Sequence, residues 1–215
     1  MSETSTFDFN AFIKESKETL LNPKSYFSTM KTAGGWTEPL IKVVIYGAVA
    51  GIFAFLWSIT GLGGLKAGMF GSAIGAMALV WSIIGAIIGL FIGAVIMLII
   101  SSVCKGNTDF EANARVVAAS MVIMPVNALL GFTAGINSWF GMIISICISL
   151  YALYILYHGL VESLKAKPET ARIIMYVFAA LLVLFMLLGM SARNKMNKYM
   201  NNDEVKEMLK DIEKK

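Results

Sequence analysis

Few side chains in this sequence have the type and spacing to do chemistry, and they fall into three places. His158 and Glu162 stand four apart in "YHGLVES", a spacing that puts both on one helix face. They could pair, with Arg115 as a neighbour. A metal or proton role needs more ligands than one His and one Glu, and His158 is the only histidine. Pro125 and Asn127 make a second polar point inside apolar sequence. Proline frees a carbonyl one turn back, and the Asn127 amide is expected to bond it. The other reading is a solute or ion contact, because polar groups at membrane depth can mark a pathway. The third place is "CKGNTDFEANAR". Gly106-Asn107 is a turn signal. Thr108 is expected to cap a helix starting at Asp109, with Glu111 closing a capping box. Arg115 lies four residues beyond Glu111 and is its natural partner.

Nothing larger assembles around these residues. The sequence holds no GxxxxGK[ST], no HExxH and no GxSxG, and "GLGGLKAG" lacks P-loop spacing. No pair of acidic residues lies within an apolar run, as an intramembrane protease or a phosphatase would require. Cys104 and Cys147 are separate and read as small packing residues, without disulfide or metal spacing. No catalytic residue, cofactor or metal is therefore assigned.

The elements that must position these residues are membrane helices. Of 215 residues, 57% are hydrophobic and 15% charged, with a mean hydropathy of +0.72; soluble domains run at about 45–50% and 25%. The apolar residues cluster into five runs of about 20 residues or more, the length that crosses a bilayer core. They cover about Leu40–Thr60, Ile74–Val103, Arg115–Ala134, Ser138–Leu160 and Ala171–Met190. Each must be helical, since a lone span has to satisfy its own backbone. The second run exceeds a straight span, so it tilts or its first turns belong to a re-entrant glycine-rich stretch at 61–75. Lys42, early in the first run, can snorkel to the interface. The fold class is thus all-α and polytopic: an N-terminal segment 1–38, a five-helix membrane domain 39–192 and a charged tail 193–215.

Lys14, Lys17, Lys24, Lys31, Lys105, Lys165 and Lys167 all fall on one side of these spans, against Lys66 alone in the loops of the other. The positive-inside rule then places the N-terminus in the cytoplasm and the C-terminus outside. Arg193, Lys195 and Lys198 conflict with that placement. No basic segment followed by an apolar signal core precedes Leu40, so the first span is expected to stay as an anchor. A net charge of +4 spread over span ends does not suggest nucleic acid. The tail from Asn202 reads as a helix with Val205, Met208, Leu209 and Ile212 on one face.

Glycines punctuate the second run: Gly71 and Gly75 are four apart, as are Gly85, Gly89 and Gly93. Such a groove lets another backbone approach closely. It serves either an oligomer interface or packing within one subunit. Tyr151, Tyr154 and Tyr157 step by three and read as interfacial anchors or core.

The segment before the first span, "LLNPKSYFSTMKTAGGWTEPL", is neither span nor plain linker. Asn22-Pro23 starts a helix, Asn as N-cap and Pro at the first position. Tyr26, Phe27 and Met30 share a face, Gly34-Gly35 ends the helix, and Trp36 sits at headgroup depth. Upstream, Phe9, Phe12, Ile13, Ser16 and Leu20 oppose Glu15 and Glu18. These are expected to be amphipathic helices on the inner membrane surface.

That opening, the loop "KGNTDFEANARVVAASMVIMPVNAL" and the turn "YALYILYHGLVESLKAKPETAR" together resemble the Yip1-domain family, in its bacterial branch, over about residues 20–190. The loop's frequent glycine pair is here Gly106-Asn107, and the tail has no counterpart. The resemblance implies five spans, a cytoplasmic N-terminus and no known enzymatic chemistry. Eukaryotic relatives bind small GTPases, which bacteria lack in that form. The expected role is a scaffold of the bacterial cytoplasmic membrane, in contact with lipids, with copies of itself and with an unidentified protein. Its working face would hold Asn22, Pro23, Phe27, Gly106, Asp109, Phe110, Arg115 and Glu162. A small-solute or ion transporter or channel, built on Pro125, Asn127 and His158, is the alternative; a lipid-binding protein is another.

Overall fold

A computed structural model describes residues 7–62 and 71–200, with side chains from 7–62, 77 and 79–189. The glycine-rich stretch at 63–70, the surroundings of Gly71 and Gly75, and the tail helix expected from Asn202 lie outside the described residues. The described chain is all helix: α1 (Phe9–Leu21), α2 (Pro23–Thr29), α3 (Thr37–Ile59), α4 (Gly71–Val103), α5 (Phe110–Ser120), α6 (Ile123–Leu129), α7 (Thr133–Ile136), α8 (Ser138–His158) and α9 (Pro168–Met200). Five stretches are long and apolar enough to cross a membrane: Thr37–Ile59, Leu79–Val103, Phe110–Ile136, Ser138–Ser163 and Pro168–Gly189.

The third of these is broken, and Pro125 is the reason. Its ring nitrogen cannot donate to the Met121 carbonyl, which instead accepts from Met124 N–H at 2.9 Å. The helix therefore stops at Ser120 and restarts at Ile123, as a proline inside a helix demands. Asn127 does not repair the break. Its side chain is exposed and makes no hydrogen bond among the described residues, because the tighter turn has already satisfied the carbonyl.

Close approach of α3 to α4 depends on glycine, but on the α3 side. A Cβ on Gly47 would lie 2.9 Å from the Ala86 Cβ, and one on Gly51 2.9 Å from the Leu79 Cα. Ser82 Oγ donates to the Gly47 carbonyl at 2.6 Å across the same seam. Of the α4 glycines, Gly93 meets Val117 of α5, Gly89 only touches Met121, and Gly85 faces open space. At Gly93, then, the packing is within the subunit.

The buried core gathers at one end of the bundle. Phe27, Val43, Leu90, Ala94, Val116, Ile155, Leu160 and Leu164 belong to one cluster. They come from α2, the start of α3, the second half of α4, α5, and the turn from α8 into α9. That turn is a π-helix, Gly159–Ser163, and its glycine is obligatory. A Cβ on Gly159 would collide with Val116 and press on the Phe27 ring. Phe27, wholly buried, thus plugs the bundle from below, which fixes where α1 and α2 lie.

Candidate functional site

The end that holds the core also holds the charges. Asp8 caps α1, accepting from Asn10 and Ala11 N–H at 2.9 and 3.1 Å. Phe12 then stacks on Tyr46 of α3 at 5.3 Å between centroids, and Ser16 Oγ lies 2.7 Å from the Tyr46 hydroxyl. The expected apolar stripe of α1 is therefore split. Phe12 and Ser16 face the protein, while Phe9 and Ile13 remain 57% and 51% exposed.

From α1 a chain of alternating charges runs across the bundle. Glu15 accepts from Lys42 Nζ at 2.6 Å, and Lys42 also donates to Glu38 at 2.7 Å. The other Glu38 oxygen accepts from Arg115 Nη1 at 2.9 Å, and Arg115 Nε donates to Glu111 at 3.0 Å. Both cations are buried, Lys42 at 6% exposure and Arg115 at 5%. Lys42 does not snorkel, because α1 covers it and brings a carboxylate. Tyr26 of α2 lies 3.5 Å from Lys42 Nζ. Burial pushes the Tyr26 phenol above its ordinary value, against the nearby Lys42 charge, so it remains a neutral hydroxyl beside the cation.

Gly35 closes the chain through its backbone. Its N–H donates to Glu111 at 2.7 Å and its carbonyl accepts from Arg115 Nη2 at 2.8 Å. Gly35 has φ +88° and Gly34 φ +140°, conformations open to glycine at little cost. A Cβ on Gly34 would also approach the Arg115 guanidinium to 3.0 Å. The glycine pair is thus a connector shaped to the arginine. Trp36 follows, stacked on Phe91 at 5.8 Å and tilted against Phe110 at 5.6 Å. Together α1, α2, the connector, α3 and α5 wall an open groove of about 880 Å³, with Asp8, Glu15, Lys31, Glu38, Lys42 and Arg115 on its sides.

The two polar turns on the same face are stitched together. Asn107 N–H donates to the Leu164 carbonyl at 2.7 Å, and Lys167 N–H to the Cys104 carbonyl at 2.9 Å. Gly106 is needed for this approach: a Cβ there would sit 2.6 Å from Ser101 Oγ and 2.9 Å from the Leu164 carbonyl. Asp109, not Thr108, caps α5, taking the Ala112 N–H at 2.8 Å. Its shorter carboxylate reaches that amide directly, which leaves Glu111 free for Arg115 and Gly35. Asn22 occupies the cap position of α2 without a side-chain bond, and Pro23 is its first residue.

His158 and Glu162 do not pair. A π-turn lies between them, with Leu164 N–H bonded to the Gly159 carbonyl. His158 instead stands edge-on to Tyr154 and Tyr157, at 4.6 and 5.3 Å. Its Nδ1 has no hydrogen-bond partner among the described residues. Glu162 is half-buried and not joined to Arg115, whose bonds go to Glu38, Glu111 and Gly35. Among the described residues no three His, Cys, Asp or Glu side chains converge as metal ligands.

Glu15, Glu38, Lys42 and Tyr46 are site residues that the sequence reading passed over. The available signal was Glu38 and Lys42, four apart at the mouth of an otherwise apolar span. A charge there calls for a partner, and the reading assigned Lys42 to the interface instead.

Five membrane-crossing helices with an ion-paired cap define a polytopic integral membrane protein. The Yip1 domain model matches residues 17–190, and the chain belongs to that family. None of the curated proteins and none of the solved structures gave a match.

Proposed function

We propose that this protein is a non-enzymatic organiser of the bacterial cytoplasmic membrane. It would present the face built by α1, α2, the Gly34-Gly35 connector and the two stitched turns to a partner. One observation carries the reading: both buried cations of the site are neutralised within it. Lys42 and Arg115 spend their charges tying cytoplasmic helices to membrane helices. That is an arrangement for holding a surface in shape. Asn22, Pro23, Phe27, Gly106, Asp109, Phe110 and Arg115 serve this face as caps, plugs and ties, and Glu162 lies on it unpaired. The N-terminus would be cytoplasmic, and copies of the chain would associate.

A photo-crosslinking residue at Lys31, on the groove wall, tests the proposal in intact membranes. It should trap a specific protein, either a second copy or another membrane component. A strictly monomeric protein that yields no specific adduct and co-purifies with neither protein nor lipid would overturn it. The transporter alternative has no observation in its favour, since Asn127, His158 and Glu162 neither converge nor line the groove.

A further inference from the structure

A second groove lies away from the ion chain, between α8 and α9. It encloses about 380 Å³ and is walled by Leu150, Tyr154, Tyr157, Arg172, Met175 and Tyr176, among others. The two helices run antiparallel, so Tyr157 and Arg172 stand at its mouth, near the α8–α9 turn. From Arg172 to Ala179 the groove extends about 10 Å along the helix axis, which carries it from the headgroup region into the acyl region of one leaflet. This is the leaflet on the side of α1 and α2, because Tyr151 on the same part of α8 donates to the Leu20 carbonyl.

The lining is apolar but for one cation and three phenols. Arg172 is exposed and makes no ion pair among the described residues, Glu169 included. The hydroxyls of Tyr154, Tyr157 and Tyr176 likewise make no hydrogen bond there. Arg115 and Lys42 are saturated by carboxylates, and Arg172 has none. An unpaired guanidinium at the mouth of an apolar, membrane-facing groove suits an occupant with an anionic head and an apolar tail.

We infer that the α8–α9 groove holds a phospholipid with an anionic headgroup. Its phosphate accepts from the Arg172 fork, a geometry guanidinium suits better than ammonium does. The tyrosine hydroxyls bond the headgroup and glycerol region, and one acyl chain runs along Met175 toward Leu150. Basic pockets between membrane helices are the usual setting for such lipids. This inference does not depend on the docking face proposed above.

The test is native mass spectrometry of delipidated full-length protein in detergent, titrated with phosphatidylglycerol or with phosphatidylcholine of the same chains. Wild type should retain phosphatidylglycerol roughly fivefold or more over phosphatidylcholine, the scale of one well-placed basic residue. Arg172→Gln should abolish the preference, and Lys17→Gln, on the exposed side of α1, should leave it intact. Ala179→Trp, which fills the groove below an unaltered Arg172, should reduce retention of both lipids. Unchanged preference in Arg172→Gln would overturn the assignment. So would an equal loss in Lys17→Gln, which would mean surface charge only, or full retention in Ala179→Trp. Circular dichroism and gel filtration of each variant identify any that misfold, and Arg172→Lys, which keeps the charge, should fall between wild type and Arg172→Gln.

Discussion

Replacing Arg115 by Met keeps an unbranched stem and removes the guanidinium, and its cost can be worked from the geometry. The guanidinium is 5% exposed and makes bonds to Glu38, Glu111 and the Gly35 carbonyl. Without it, Glu38 still has Lys42. Glu111 keeps only the Gly35 N–H, and the Gly35 carbonyl has nothing. Each charge-assisted hydrogen bond lost with the guanidinium is worth about 1.5–3 kcal/mol, and the Gly35 carbonyl, with no other partner among the described residues, adds to the loss. Lys42→Met is milder. Its partners Glu15 and Glu38 are 37% and 43% exposed, so they rehydrate, and Glu38 keeps Arg115. The loss there is that of a charged hydrogen bond, about 1.5–3 kcal/mol. Chemical unfolding in a fixed detergent micelle, monitored by circular dichroism, should give this order. Pairing Arg115→Met with Glu111→Gln should give a loss smaller than the sum of the two single losses. Limited proteolysis adds a local readout. Arg115→Met should open the chain at Gly34-Gly35, and Lys42→Met should open it at α1. A loss below about 1 kcal/mol for Arg115→Met, the value of an exposed pair, would refute the reasoning. So would a larger loss for Lys42→Met.

Three further substitutions probe how the site is held. Gly159→Ala forces a methyl against Val116 and the plug Phe27 and should cost about 1–3 kcal/mol by overpacking; Gly85→Ala, facing open space, should cost almost nothing in the same unfolding assay. Gly51→Leu pushes α3 away from the Leu79 backbone and should lower the thermal midpoint more than Gly89→Ala does. Tyr26→Phe tests the buried phenol. Its proton is held more tightly in the folded state than at the ordinary value of 10.0, so the unfolded chain ionises first. Stability from this group is full below that value and falls as pH rises past it, and the mutant should lose that part of the alkaline decline in a pH series of melts.

The spans were legible because each rests on a local property, twenty or so apolar residues in a row. So was the pairing of Glu111 with Arg115, which one helical turn encodes. What escaped was non-local. Lys42 looks like a lone charge at a span entrance until α1 is folded over it, and nothing between residues 15 and 42 states that Glu15 will return. His158 and Glu162 failed for the opposite reason. Their spacing is sound for a helix, but spacing does not set what a ring packs against, and His158 stands edge-on to Tyr154 and Tyr157 instead. The glycines of α4 were conspicuous by number, whereas the pair that brings α3 and α4 together, Gly47 and Gly51, sits unadvertised in "GAVAG".

The ion chain also explains why the glycine pair and the arginine belong together although they lie 80 residues apart. An arginine buried among membrane helices must have its donors met. Carboxylates supply two of these bonds, from Glu38 at the start of α3 and Glu111 at the start of α5. The third comes from the Gly35 backbone carbonyl, which the connector aims at the guanidinium through a left-handed turn. Gly35 takes that turn and in the same stroke gives its N–H to Glu111, so a single residue joins both ends of the pair. Any side chain at Gly34 would meet the guanidinium, and any at Gly35 would strain the turn. The connector between α2 and α3 is therefore fixed by α5, and the N-terminal helices are held to the bundle through it.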